Sequence, residues 1–329
     1  MKKYLLIFGS IGIALAVYFI TIHITPLITV GRGLSTIVVV NDDQYLITAN
    51  NSVYEWQAQV LTPILNDHVT DSIVLNERIV YIANGVLLKS FDRRTNDNTT
   101  IFQAEPQQYL DHVHANSHHT RLLVTARDAN RHRPTQIIIL DVATGNILQR
   151  LDARIDKSLT RPSEPDSVNA IAWHPSGRLI AVSYPTVIEI WDIVDGRIVY
   201  MTDTQIDSDQ FTLAWSHTGA FLLQGTHLFA FDQHSLTLMR EFSGPQDRAI
   251  SSAWSPDDTM ISIGTGSYQE PNMRLRDSTV YVWEAATGKL MQRFSAHDAI
   301  VRSVVFSLDG ASIISGDSDG VIYYWTIAQ

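Results

Sequence analysis

The feature that most constrains this chain is a unit that recurs about every 45 residues. Its clearest copy is "SAHDAIVRSVVFSLDGASIISGDSDGVIYYW" at 295–325, three short alternating apolar segments separated by the turns "SLDG" and "DSDG". Alternation at period two marks strands, and Gly or Asp in the turns supplies the positive φ of a tight reversal. The bulky residue ending the third segment, with the residue after it, sets a register. It recurs as Trp56-Gln57, Phe91-Asp92, Leu140-Asp141, Trp191-Asp192, Phe231-Asp232, Trp283-Glu284 and Trp325-Thr326. The turns "HPSG", "SHTG", "SPDD" and "SLDG" follow Trp173, Trp215, Trp254 and Phe306, and "DVATG", "DIVDG" and "EAATG" lead from a third strand into a fourth. A four-stranded meander of this kind cannot bury both of its faces alone, so the units must stack on one another.

The final unit resembles a WD-repeat propeller blade, whose pattern is Gly-His, then "V.FSPDG", then "SGS.DG.V..WD". Here Ala296 stands in place of the Gly and Thr326 in place of the terminal Asp. The resemblance is carried by signature residues over roughly the last 160 residues and by period alone before that. It implies an all-β fold, a seven-bladed β-propeller of four-stranded antiparallel blades. It also implies that His297, Ser315, Asp319 and Trp325 form a buried hydrogen-bonded tetrad in the last blade, a set that blades four and six lack because Val182 and Ile263 hold the serine position. The role implied is a non-enzymatic scaffold for protein–protein interaction.

Ahead of the repeats, Lys2 and Lys3 precede 19 consecutive uncharged, mostly apolar residues at 4–22. As a helix rising about 1.5 Å per residue, that stretch matches a bilayer core. The positive-inside rule keeps the lysines cytoplasmic and exports the C-terminal body of the chain. The expected organisation is therefore a signal anchor or transmembrane helix at 1–23 and an extracytoplasmic propeller at 24–329, a single-pass membrane protein. The alternative is a signal peptide cleaved near Ala16, after "ALA" at 14–16, giving a secreted chain; the apolar run that continues through "VYFITIHI" favours the anchor. The chain stops at "YYWTIAQ", just after a third strand, so the last blade needs a fourth from elsewhere. The segment 24–30 is the expected donor, and its Pro26 is tolerable on an outer strand. Because that strand would come directly after the membrane span, the face with the tight turns is expected to sit against the bilayer.

Net charge is −10, which argues against nucleic acid as a partner. The absence of cysteine excludes a disulfide framework, a thiolate metal site and a catalytic thiol. No phosphate-binding Gly-rich loop, G-x-S-x-G or H-E-x-x-H occurs, so no catalytic residue and no cofactor is expected. "DHVHANSHH", with Asp111, His112, His114, His118 and His119, lacks a second ligand cluster and reads as a polar inter-strand turn rather than a metal site. "DSDG" at 317–320 opens like a calcium loop, but its twelfth position is Ala328.

Three insertions remain, at 129–135, 153–166 and 268–278. Strand direction puts all three on one face, the one opposite the tight turns. They carry Arg131, Arg133, Arg154, Lys157, Arg161, Arg274 and Arg276, seven of the chain's 24 basic side chains. Arginine forks suit carboxylates, so this rim is the expected site for a protein partner with acidic segments. Asp156, Glu164, Asp166, Glu270 and Asp277 lie among them and also fit a plain solvated face. Two alternatives use the central channel instead: a small-ligand sensor or carrier, and a propeller enzyme. The propeller is expected to be monomeric.

Overall fold

The computed structural model describes residues 4–5, 20–21, 28–30, 32–41, 44–130, 136–152, 168–184, 187–203, 211–233, 235–266 and 277–327. Seven four-stranded antiparallel sheets are arranged as the blades of a propeller, each a meander in sequence order except the last. The first strands line the axis: Thr36–Asn41, Val69–Leu75, Gln108–Ala115, Ala170–Trp173, Leu213–Trp215, Ala249–Trp254 and Val301–Phe306. The third strands end at or within one residue of the seven bulky residues that set the sequence register. First-to-second and third-to-fourth connections lie on one face of the ring, hereafter the turn face. Second-to-third and blade-to-blade connections lie on the other, the loop face.

Both faces of every sheet are apolar, which explains sequence runs that look too hydrophobic for a half-exposed strand. In blade three, Leu122, Val124, Ile138 and Leu140 pack towards blade two, while their neighbours Leu123, Ile137 and Ile139 pack towards blade four. Among the described residues there are seven such cores, one per junction, the last formed where Ile314 and Ile322 of blade seven meet Leu34, Ile37 and Ile47 of blade one. Each fully buried aliphatic side chain contributes about 1.5–3 kcal/mol, so a missing blade would leave two apolar sheet faces in water. Polar bonds near the axis stitch the same junctions. The Val113 amide donates to Asp71 across blades two and three (3.0 Å), the Ile37 amide to Ser303 Oγ across blades seven and one (3.1 Å), and Gln224 Nε2 to Ser183 Oγ across blades five and four (2.7 Å).

The fourth strand of blade seven is Ile28–Thr29, from the opposite end of the chain, with Ile28 opposite Ile322 and Thr29 opposite Val321. The pairing continues as Val30 N to Gly320 O (2.9 Å) and Gly33 N to Ser318 O (3.0 Å). Residues 24–27 of the expected closing segment lie outside the described residues. So does most of the apolar span 4–22, of which Tyr4–Leu5 and Ile20–Thr21 are described, as a two-residue antiparallel pair. Among the described residues no helix is long and apolar enough to cross a membrane.

The buried network in blade seven differs from the expected tetrad in its acid. His297 Nδ1 is 2.8 Å from Asp317 Oδ2, and its Nε2 is 2.7 Å from Ser315 Oγ, which accepts from Trp325 Nε1 at 2.7 Å. Asp319 is not a member; its exposed carboxylate lies 3.5 Å from Arg32. The reason is strand periodicity: Asp317 is the last residue of Ser312–Asp317, two after Ser315, and so shares its face. The second Asp317 oxygen accepts the amides of Asp319 (3.1 Å) and Val321 (3.0 Å), tying the turn to the network. Replacing Asp317 by Ala leaves His297 and two amides without an acceptor and should cost about 1–3 kcal/mol. The Asp319→Ala change should stay within about 0.5 kcal/mol, as chemical denaturation of both variants would show.

Glycine limits how closely blades approach. A side-chain carbon at Gly264 would lie 2.5 Å from Val301 Cγ1 and 2.9 Å from its Cβ. Gly264→Ala should therefore overpack the junction of blades six and seven by about 1–3 kcal/mol, seen as a lower denaturation midpoint at unchanged slope.

Candidate functional site at the channel

Strand direction confirms the arrangement of connections but not the side chains of the insertions. The strand ends that flank 129–135, 153–166 and 268–278 all open on the loop face. Arg131, Arg133, Arg154, Lys157, Arg161, Arg274 and Arg276 lie outside the described residues, as do Asp156, Glu164, Asp166 and Glu270. Asp277 does not belong to an exposed rim: it is buried, accepting from Tyr281 Oη (2.8 Å) and from the Gln246 amide (3.1 Å). Burial first, and then this carboxylate, push the Tyr281 phenol up to about 12.

The histidine-rich stretch is likewise placed differently from the sequence expectation. Asp111, His112 and His114 sit on the innermost strand of blade three, Gln108–Ala115, and His118 and His119 occupy the turn after it. A register break between Leu110 and His112 makes Asp111 the extra residue of a bulge. The same break makes Thr70, Ile250 and Arg302 extra residues in blades two, six and seven. A bulge re-aims the side chains around it, and here it brings polar groups to the channel.

Five blades contribute to the resulting cluster and the cavity beside it. His112 Nδ1 lies 3.5 Å from Asp71 Oδ2 of blade two. The His112 side chain is 61% exposed to the channel; the surrounding strands still act against its charge, but the Asp71 carboxylate outweighs them and holds the imidazole above its ordinary value, with Arg302 of blade seven opposing. For His114, with its ring centroid 6.4 Å from that of His112, burial outweighs the same Asp71 carboxylate and pushes the imidazole down to about 4. Asp111 accepts from Arg127 Nε at 2.8 Å, yet burial raises its carboxyl above the usual range. Beside the two imidazoles is a cavity of about 210 Å³ lined also by Thr125, Asn169, Phe211 and Thr212, where blades three, four and five meet.

This arrangement can take up a small polar group, with one imidazole ready to be charged, one neutral, hydroxyls nearby and the Phe211 ring as an apolar wall. Among the described residues no three His, Asp, Glu or Cys side chains are placed to hold a metal ion. Asp71, Arg302 and Phe211 were not singled out from sequence. The available signal was a charged residue inside a first strand, Asp71 in Val69–Leu75 and Arg302 in Val301–Phe306.

Comparison with known proteins agrees with this geometry. The fold is that of a seven-bladed β-propeller, and the chain superposes on the β-propeller domain of Myceliophteria thermophila Cps50 (Swd1) with a TM-score of 0.69 at 15% identity, covering 91% of this chain and 99% of that one. Within that class, residues 288–326 match the WD domain, G-beta repeat model, and residues 136–218 match that of the anaphase-promoting complex subunit 4 WD40 domain. It is similar to apoptotic protease-activating factor 1 of Rattus norvegicus, 24% identical over 46% of this chain and 11% of that protein. It is also similar to the APC/C activator protein CDC20 of Saccharomyces cerevisiae, 22% identical over 54% of this chain and 28% of that one. The matches thus span well under half of these relatives.

The channel histidines generate a pH prediction. An unfolded imidazole takes its proton near 6.5, whereas folded His114 resists until about 4. His114 therefore leaves stability untouched above pH 6.5 and costs an increasing amount as pH falls towards 4. NMR titration should find His114 as the low outlier and His112 above its ordinary value, and His114→Gln should flatten the loss of stability over that window.

Proposed function

We propose that this chain is a non-enzymatic WD40 scaffold, anchored in a membrane by residues 4–22 with the ring on the extracytoplasmic side, that binds a protein partner on its loop face. The observation that carries this reading is co-location: all three long insertions, with seven basic residues, spring from the loop face of one ring. A rigid scaffold presenting its long loops together is the usual geometry of a recognition surface. The names of the relatives, a protease-activating factor and an APC/C activator, describe proteins that act on other proteins and support the same reading. The membrane side rests on sequence: Lys2 and Lys3 before an uncharged span of 19 residues.

A second reading has a specific observation behind it. Asp71, His112, His114 and Arg302 converge on the channel, where an apolar plug would have spoken against a ligand. A small extracytoplasmic ligand held beside Phe211 and the imidazoles is the alternative.

The two make opposite forecasts. Replacing Arg131, Arg133, Arg274 and Arg276 together by Ala should abolish capture of the partner from solubilised membranes while leaving the melting temperature unchanged. An unchanged capture profile, together with loss of it in a His112→Ala, His114→Ala variant, would transfer the site to the channel.

A further inference from the structure

Large apolar side chains are left exposed on the turn face in five blades. Among the described residues these include Val60, Leu148, Val194, Met291 and Leu308, in blades one, three, four, six and seven; Val194 and Leu308 are more than half exposed at the tips of their turns. Between blades six and seven they border a cleft of about 470 Å³ lined by Pro256, Met260, Met291, Leu308, Ala311 and Ile327. On the loop face, exposed Tyr109 instead lies against the Arg127 guanidinium, 5.1 Å from it.

The position of this cleft relative to the chain is informative. Ile28 pairs with Ile322, in the half of Val321–Thr326 nearest the loop face. An antiparallel fourth strand runs from the turn face towards the loop face, so residues before Ile28 lead back to the turn face. Of the described strand, Ile28 is thus the end nearer the turn face. In sequence, the apolar span 4–22 ends six residues before Ile28.

We infer that the turn face is a membrane-contact surface, and that Leu308, Met291 and Val194 enter the headgroup region of the bilayer in which residues 4–22 are anchored. Resting on the anchor reading, this adds which face meets the lipid and through which side chains. The acidic residues of the face do not forbid it: Asp258 accepts amides of the neighbouring turn, Asp195 pairs with Arg178 and Arg197, and Asp309 and Asp257 are turned back into their own turns. Asp309 accepts from Ser307 Oγ (2.6 Å) and the Ala311 amide (2.9 Å), and Asp257 from Ser255 Oγ (2.6 Å) and Thr259 Oγ1 (2.8 Å). Their negative charge selects a zwitterionic surface over an anionic one. Apolar tips around a ring each add a modest membrane affinity that becomes useful once a span holds the ring at the surface.

The chain has no cysteine, so single labels need no prior mutation. Leu308→Cys, Val194→Cys and, on the loop face, Ala129→Cys would each be coupled to an environment-sensitive fluorophore. The full-length protein would then be reconstituted in phosphatidylcholine vesicles containing brominated lipid. Labels at 308 and 194 should lose about half or more of their emission to the shallow bromines, and the label at 129 should lose none. Quenching at 308 and 194 no greater than at 129, in protein that stays with the vesicles after alkaline carbonate, overturns the contact surface alone. Release by carbonate overturns the anchor and the contact surface with it.

Discussion

Blade-on-blade burial is the constraint on which the rest of this structure depends. Each sheet has two apolar faces and no partner within itself, so every blade must be sandwiched, and only a closed ring sandwiches all of them. Closure concentrates the problem at one place, the outer edge of blade seven, where Val321–Thr326 would otherwise present unpaired backbone groups. The chain meets it with Ile28–Thr29 and with amide bonds from Val30 and Gly33 to the turn at Ser318 and Gly320. The His297–Asp317–Ser315–Trp325 network fixes that same turn from behind. The strand and the network are thus two halves of one clasp, joined through Asp317, whose two oxygens serve the histidine and the turn amides respectively.

Closure also divides the molecule chemically. One face has short connections whose carboxylates are consumed by local hydroxyls and amides, with apolar tips between them. The other carries the long insertions and the polar mouth of the channel. This division is the one the proposed platform requires, held by one face and read from the other.

Much of the fold was legible because its signals are local. Trp191, Trp283 and Trp325 end third strands in the structure as in the sequence pattern, and Gly177, Gly219 and Gly310 adopt the positive φ that their turns required. Blade six shows the pattern bending without breaking: Asp258 takes the same positive φ and is held there by the amides of His217 and Thr218 in the neighbouring turn. What escaped the sequence depends on alignment to within a residue or on contacts between blades. The choice of Asp317 over Asp319 turns on which carboxylate shares the face of Ser315. The strand position of His112 turns on where blade three begins, which its weak signature residues do not mark. The pairing of Asp277 with Tyr281 turns on where an insertion ends, and the partnership of His112 with Asp71 joins different blades. The basic rim is the part of the site that sequence alone supports.

The central claim, that one clasp at blade seven closes the ring and bears the stability of the whole, is tested most directly by native-state hydrogen exchange at that clasp. The account predicts that the Val30 and Gly33 amides exchange only through global unfolding, with the same opening free energy as the amide of Ile139 in the interior of blade three. Exchange of Val30 and Gly33 through a separate, lower-energy opening, with Ile139 still protected, would contradict it.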